Sequence, residues 1–227
     1  MTWRSEALYH RVVLALLTSI LIYNLLFVVT TLICLRLVGA RAKSVQIGWG
    51  PKVQFTVCGL AIALALVPVA SWVQIAGRGT EDDEDPGTWS KLSRTRRVLG
   101  TLGPWLVLLG VGCSLAGSTR GFWSFARAFE QLLLTWDTTS LVRRFAQTLD
   151  TEPYAVGLGL VLCKITAFNL VPLPNLGGWA LLTELFGRTG QKPSSSGFLT
   201  AVTVLGMVIA LSISARFGWG ILRAATS

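Results

Sequence analysis

Apolar residues fall into four stretches that are long enough, or nearly so, to cross a lipid bilayer as helices. They cover residues 12–38, 98–116, 154–171 and 198–215. A membrane-spanning helix needs about 20 mostly apolar residues, so each stretch predicts one transmembrane helix. We therefore expect a polytopic α-helical membrane protein in which residues 1–227 form a single membrane domain.

A different pattern follows the first stretch. Residues 53–57, Val-Gln-Phe-Thr-Val, alternate apolar and polar positions as a β-strand does. The apolar residues 60–67 that come next end at Pro68 and are too few to span a membrane as a helix. Non-helical backbone at membrane depth has to be paired and buried against protein. We expect residues 44–74 to form a small membrane-associated β-hairpin or sheet.

Two polar segments separate the later stretches. Residues 77–97 hold the acidic run 81–85 and a basic cluster, and we interpret them as a solvated polar loop. Residues 118–153 begin with apolar side chains at helical spacing, with charged residues among them, which predicts an amphipathic connector whose first part is an interfacial helix. Its apolar positions are Phe122, Phe125, Phe129, Leu132 and Trp136.

The composition supports a membrane protein and excludes several other classes. Apolar residues make up 52% of the chain and charged residues 14%, against about 25% charged in an average soluble domain. This balance excludes a soluble enzyme, a disordered chain and a secreted disulfide scaffold. Most tryptophans lie near predicted span ends or in loops, as interfacial anchors do. We interpret the cysteines as small buried hydrophobic residues, because they form no C-x-x-C pair: Cys34, Cys58, Cys113 and Cys163.

The positive charge is explained by loops that flank membrane spans. The formal net charge is +9, and residues 36–97 contain nine Lys and Arg, against four in residues 118–153. Because cytoplasmic loops are enriched in these residues, we expect loop 36–97 to be cytoplasmic. The sequence contains no recognisable nucleic-acid-binding module, so we expect the lipid bilayer and no nucleic acid as a partner.

The most specific string in the sequence is residues 169–178, Asn-Leu-Val-Pro-Leu-Pro-Asn-Leu-Gly-Gly. It resembles the C-terminal motif of the site-2 protease family of intramembrane zinc metalloproteases, which reads N-x-x-P-x-P-x-L-D-G-G. Gly177 replaces the Asp of that motif, and Trp179 replaces its last Gly. The matching residues are Asn169, Pro172, Pro174, Leu176 and Gly178.

Three further segments are similar to elements of the same family. Residues 47–51, Ile-Gly-Trp-Gly-Pro, resemble its I-G-F-G-P element, and residues 66–73 resemble its I-P-L-G-G-Y-V stretch. Residues 96–97, Arg-Arg, followed by Gly-Pro at 103–104, resemble the basic residue and the A-G-P start of its second span. The resemblance covers residues 14–182, approximately, and implies a site-2-protease-like core.

The residues that carry the family's chemistry are replaced in this chain. Active members have H-E-x-x-H on the first span, where two histidines bind zinc and the Glu acts as general base, and the Asp of the C-terminal motif is the third ligand. Counted back from Ile47, the histidine positions are Phe27 and Thr31, and the Glu position is Val28. The Asp position is Gly177.

No other alignment of this motif restores the ligands. The chain has one histidine, His10, and no His, Asp or Glu lies between Arg11 and Thr80. A catalytic zinc needs three protein ligands and an open position for water. We therefore expect no catalytic residues and no zinc cofactor.

The resemblance still implies a scaffold that holds a peptide. It implies that the bent Asn–Pro loop and the sheet hold an extended segment, and strand addition to a sheet edge binds through main-chain hydrogen bonds. These parts correspond to Asn169, Pro172, Pro174 and residues 45–57. For Asn169 there is an equal alternative, in which its amide satisfies backbone groups that Pro172 leaves free.

A further candidate is Lys164, which lies inside the third predicted span. An intramembrane lysine is costly and usually faces a polar interior. One interpretation places its ammonium in the space left by the zinc, held by Asn169 and backbone carbonyls. The other is that the side chain snorkels towards the interface.

Together these observations predict a catalytically inactive, site-2-protease-like pseudoprotease of a bacterial inner (plasma) membrane. We expect it to bind or regulate segments of membrane proteins, or an active protease partner. The alternatives are an active intramembrane zinc metalloprotease with unconventional ligands, and a structural or transport subunit of a larger membrane complex. Residues 118–153 are too few for the PDZ domain that many family members insert, so we expect no PDZ insertion.

Overall fold

The computed structural model describes residues 3–78, 88–133, 138–172, 176–186 and 204. The acidic run 81–85 lies outside the described residues, as does the predicted span 198–215 apart from residue 204. The elements in chain order are α1 (Trp3–Val38), β1 (Ala42–Val57), β2 (Leu60–Ile75), a 3-10 turn (Trp89–Lys91), α2 (Arg94–Ala116), α3 (Ser118–Leu133), α4 (Thr138–Thr151), α5 (Tyr154–Leu170) and α6 (Gly177–Phe186).

Two helices in the described part of the chain are long and apolar enough to cross a membrane, namely His10–Val38 and Arg94–Ala116. They correspond to the first two of the four predicted spans. The third predicted span forms α5, which is apolar but has only 17 residues, fewer than the about 20 that a full span needs. The prediction of a helical protein with a small sheet is therefore confirmed, whereas four spans are not.

Helix α1 is apolar on the faces that pack inward and also on a face that is exposed. Its buried side chains include Val12, Leu16, Tyr23, Val28 and Leu35. Large apolar side chains are exposed every three or four residues along another face: Leu14, Leu17, Leu21, Leu25, Val29, Ile33 and Leu37. A continuous exposed apolar stripe is unusual in a soluble monomer and is typical of a membrane or protein contact.

The predicted β-hairpin over 44–74 is confirmed and extends slightly further at both ends. Strands β1 and β2 are antiparallel, and Val57 pairs with Leu60 across a two-residue turn. Both turn residues have positive φ, 49° at Cys58 and 81° at Gly59, as a type I′ hairpin turn requires. Because Cys58 lies in this turn it is exposed, so the expectation that it is a buried hydrophobic residue is wrong.

Strand β1 is kinked at two glycines, and the outer part of the hairpin folds back there to lie beside its inner part. Gly48 and Gly50 have φ of 91° and 98°, which side chains rarely tolerate. A Cβ at Gly48 would lie 2.8 Å from the Ala65 carbonyl oxygen, so only glycine permits this approach. Residues 44–47 consequently pair with residues 61–64 as well as with 71–74.

This folding-back leaves residues 52–57 at an edge of the sheet. They pair with residues 60–65 on one side, and their side chains are all exposed. Val53, Phe55 and Val57 alternate with polar residues along this edge. The edge strand is therefore the longest stretch of strand with one side available for a partner in the described part of the chain.

The helices pack closely through glycines. A Cβ at Gly112 of α2 would lie 2.7 Å from the Cys163 sulfur of α5, and a Cβ at Gly159 would lie 2.7 Å from the Gly112 carbonyl oxygen. A Cβ at Gly121 of α3 would lie 2.6 Å from the Cys113 Cα. Small residues at these positions let the backbones of α2, α3 and α5 approach one another directly.

The predicted amphipathic connector forms α3 and α4. The helix predicted from this spacing of apolar residues forms α3. Phe125 and Phe129 of α3 pack edge to face, with ring centroids 5.3 Å apart. The guanidinium of Arg120 binds the carboxylate of Glu152, which ties the two ends of the connector together. Trp136 lies outside the described residues.

Candidate functional site

Two of the positions that the resemblance assigns to a metal site meet around a single tryptophan ring. Phe27 of α1 stacks on Trp105 of α2, with centroids 4.7 Å apart and an interplanar angle of 28°. On the side of α6, a Cβ at Gly177 would lie between 2.5 and 2.8 Å from three atoms of the same indole ring. Tyr23, one turn before Phe27, stacks parallel to it at 6.5 Å. We name Tyr23, Phe27 and Trp105 the aromatic cluster.

The chemistry of these residues does not fit a catalytic zinc. Phe27 and Gly177 offer no ligand atom, and the space between them is taken by the Trp105 ring. Val28 is buried, and the hydroxyl of Thr31 is buried without a hydrogen-bond partner among the described residues. Zinc in proteins is bound by thiolate, imidazole and carboxylate groups, and none is present at these positions.

Asn169 connects α5 to the aromatic cluster. Its side-chain nitrogen donates one hydrogen bond to the Tyr23 hydroxyl and one to the Ile165 carbonyl, both at 3.0 Å. The Asn169 amide therefore binds the carbonyl one turn earlier in its own helix, which is not a carbonyl that Pro172 leaves free, and it joins α5 to α1 at the same time. Pro172 follows the end of α5 and is exposed, whereas Pro174 lies outside the described residues.

Lys164 and Asn169 lie on different faces of α5. The interpretation in which Asn169 holds the Lys164 ammonium requires them to share a face. Its ammonium donates a hydrogen bond to the Gln131 side-chain oxygen of α3, at 2.5 Å. Five residues correspond to about 140° around an α-helix, so Lys164 and Asn169 point in different directions. The structure thus differs from the expectation that Asn169 holds this ammonium in the space left by the zinc.

A second polar centre, which the sequence analysis missed, surrounds Glu184 of α6. One carboxylate oxygen accepts a hydrogen bond from the Trp89 indole at 2.8 Å. The other carboxylate oxygen lies 3.0 Å from Arg97 Nε. Arg78 forms a longer ion pair with the first oxygen, at 3.5 Å. Arg94 Nε donates to the Glu184 backbone carbonyl at 3.1 Å. We name these five residues the Glu184 cluster.

The ion pairs and hydrogen bonds of the Glu184 cluster hold α6 against α2. The side chains of Arg97 and Glu184 are only 9% and 12% exposed, so their charges are compensated by groups of the cluster more than by water. Burial lowers the pKa of the Arg78 guanidinium, and the Glu184 charge opposes that shift. The Glu184 cluster fixes one end of α6 against α2, and two turns away Gly177 rests on Trp105. One sequence signal could have identified this residue, since Glu184 is the only Asp or Glu after Glu152.

Neither a scan of protein-family models nor a search of the curated proteins finds a match for this chain. The resemblance to the site-2 proteases accordingly rests on the segments quoted above. The aromatic cluster, the Glu184 cluster and the edge strand 52–57 are the structural features of this chain that bear on its function.

Proposed function

We propose that this protein is a catalytically inactive, site-2-protease-like membrane protein that holds an extended segment of another membrane protein. The observation that carries the proposal is the Trp105 ring, which is packed between Phe27 and Gly177. In the resemblance these two positions belong to the metal site. Aromatic packing at the place where the resemblance puts the metal supports the proposal that the core keeps the family's fold without its catalytic residues.

The order of elements supports the same proposal. A long apolar helix is followed by a small sheet, a second apolar helix and a third helix that ends at the Asn–Pro segment. This is the order that the resemblance implies for the core. The proposed topology has four spans, with loop 36–97 in the cytoplasm and both termini on the other side. The exposed apolar stripe of α1 is the surface that lipid would cover.

The edge strand 52–57 is the proposed place of contact with the partner. Exposed strand edges bind extended peptides because each unpaired main-chain group can accept or donate a hydrogen bond. The alternating apolar side chains Val53, Phe55 and Val57 add a surface that suits a hydrophobic segment. The bound segment is proposed to come from a membrane protein, which includes an active protease or a component of a larger complex.

The turn defines which backbone groups face such a partner. Val57 and Leu60 flank a two-residue turn and form a hydrogen-bonded pair, and hydrogen-bonded and non-hydrogen-bonded pairs then alternate along the hairpin. The N–H groups of Lys52, Gln54 and Thr56 therefore point away from β2. A proline at one of these positions removes an outward donor and leaves the hairpin ladder intact.

We expect Gln54→Pro to reduce partner binding about tenfold or more, because it leaves a partner carbonyl without its donor. Binding is measured by photo-crosslinking in native membranes, from a photoreactive amino acid placed at the exposed position Val53. Gln54→Ala is the matched control, since it removes the same side chain and keeps the N–H. Its adduct yield is expected to equal that of the unchanged protein.

Two results would contradict the proposal in different ways. Equal adduct yields from the Gln54→Pro and Gln54→Ala proteins would exclude strand addition at this edge. A complete lack of protein adducts from Val53, in membranes where the full chain is folded, would remove the edge strand from the partner site. A circular-dichroism spectrum of each purified variant establishes that the fold is retained.

A further inference from the structure

A small groove opens where the beginning of α1 meets the end of α4 and the beginning of α5. Its cavity volume is about 220 Å³. Pockets that enclose a whole small molecule measure about 300–1,000 Å³, so this groove suits one end of a larger ligand. It lies apart from the aromatic cluster, the Glu184 cluster and the edge strand. The groove is lined by Arg11, Leu14, Ala15, Thr18, Leu149 and Tyr154.

Charges of both signs lie at one end of the groove. Arg11 Nη2 donates a hydrogen bond of 3.0 Å to the Leu149 carbonyl oxygen, and Arg11 Nη1 lies 3.5 Å from the Asp150 carboxylate. These contacts fix the guanidinium at the end of α4, but the Arg11 and Asp150 side chains remain 62% and 47% exposed. An ion pair that is this long and this exposed contributes little to stability. Both charges therefore remain accessible to a ligand that carries the opposite charges.

The other end of the groove continues into the exposed apolar stripe of α1. Leu14 lines the groove, and Leu21 and Leu25 follow it along the same face of the helix, where all three are exposed. From Leu14 to Leu25 the helix rises about 16 Å, which is about half of the 30 Å hydrocarbon core of a bilayer. A hydrocarbon chain that follows this line would cross one leaflet.

The groove also lies at the level where lipid headgroups are expected. The candidate span of α1 begins at His10, and Tyr154 is the first residue of α5. A hydrogen bond of 2.9 Å between the Tyr154 and Ser19 hydroxyls holds the two helices side by side. Arginine and tyrosine at span ends keep their polar groups among the headgroups and their apolar parts in the hydrocarbon. Arg11 and Tyr154 stand at such ends.

We propose that this groove binds one phospholipid whose headgroup carries both a phosphate and an ammonium group, as phosphatidylethanolamine does. The Arg11 guanidinium binds the phosphate, and the Asp150 carboxylate accepts a hydrogen bond from the ammonium. One acyl chain lies along Leu14, Leu21 and Leu25. Charge complementarity selects this headgroup, because a phosphate without an ammonium would leave the Asp150 carboxylate beside an anion. The inference rests on the membrane placement in the proposed function, but not on its peptide site.

The test measures lipid binding to the full chain by native mass spectrometry. The protein is purified in mild detergent, stripped of lipid, and titrated with phosphatidylethanolamine or with phosphatidylglycerol, which has the phosphate but no ammonium. With equal acyl chains, we expect the first phosphatidylethanolamine to bind about tenfold more tightly. Arg11→Gln should weaken this binding about tenfold or more, because the phosphate loses a charged donor. Asp150→Asn should abolish the preference between the two lipids.

Two further variants separate the site from the fold. Arg120→Gln is the matched control, because it removes an arginine from the exposed ion pair with Glu152 and should leave lipid binding unchanged. Thr18→Phe fills the groove and leaves Arg11 and its contacts in place, and it should weaken binding as much as Arg11→Gln. A circular-dichroism spectrum establishes that each variant is folded.

Two results would overturn the proposal. Equal phosphatidylethanolamine binding by the Arg11→Gln and Arg120→Gln proteins would show that the groove is not the site. Equal binding of the two lipids by the unchanged protein would show that apolar contact alone holds them. Failure of the proposed function has a different signature, which is the loss of adducts from Val53 or extraction of the protein from membranes by alkaline carbonate. Failure of the lipid site changes neither.

Discussion

Glu184→Ala is expected to lower the free energy of unfolding by about 3–5 kcal/mol, because it leaves the Arg97 charge buried without its carboxylate. Arg97 is 9% exposed and lies 3.0 Å from the Glu184 oxygen. The Trp89 indole loses its acceptor in the same variant. The measurement is reversible unfolding of the purified protein in mild detergent, followed by tryptophan fluorescence.

Glu152→Ala is the matched control, since it removes the same type of side chain from an exposed ion pair. Arg120 and Glu152 are 45% and 33% exposed, so the loss should be about 0–1 kcal/mol. Adding Arg97→Met to Glu184→Ala should recover part of the loss, because the buried charge is then gone. Equal losses from Glu184→Ala and Glu152→Ala would show that the Glu184 cluster does not hold α6.

Trp105→Ala is expected to cost about 3–5 kcal/mol of stability, because it empties the space between Phe27 and Gly177 and the helices relax only partly. Trp105 is buried, and its ring contacts both of these residues. The free energy of unfolding in mild detergent measures the loss. Trp105→Phe keeps a ring on Phe27 and should cost clearly less.

The control for this prediction is Trp123→Ala on α3, where the side chain is exposed. It removes the same number of atoms without leaving a cavity, so a change of about 0.5 kcal/mol or less is expected. If Trp105→Ala were as mild as Trp123→Ala, the aromatic cluster could not be what joins α1, α2 and α6.

The sequence was informative wherever local pattern decides structure. The apolar runs predicted α1 and α2, and the alternation of residues 53–57 predicted the hairpin. The start of α1 was placed nine residues late, because polar residues at its beginning remain helical without being apolar. The folding-back of the hairpin depends on Gly48 meeting the Ala65 carbonyl, a contact between distant residues that alternation does not encode.

The positions of the candidate site could be found from the sequence, whereas the contacts between them could not. Phe27 and Gly177 could be found by comparing the sequence with the motifs that it resembles. The ring between them could not, because the role of Trp105 depends on how α2 is rotated against α1 and α6. The partner of Lys164 was missed for the same reason, since the rotation of α5 turns this lysine towards Gln131 of α3.

The central claim, that this core has lost its metal site, is tested most directly by the zinc content of the protein. The full chain is purified in mild detergent without chelators, its affinity tag is removed, and metals are measured by mass spectrometry. A sample incubated with zinc and washed serves as the control for loss during purification. We predict only trace zinc in both samples, because Phe27, Val28, Thr31 and Gly177 offer no thiolate, imidazole or carboxylate ligand. Near-stoichiometric zinc that survives removal of the tag would contradict this account.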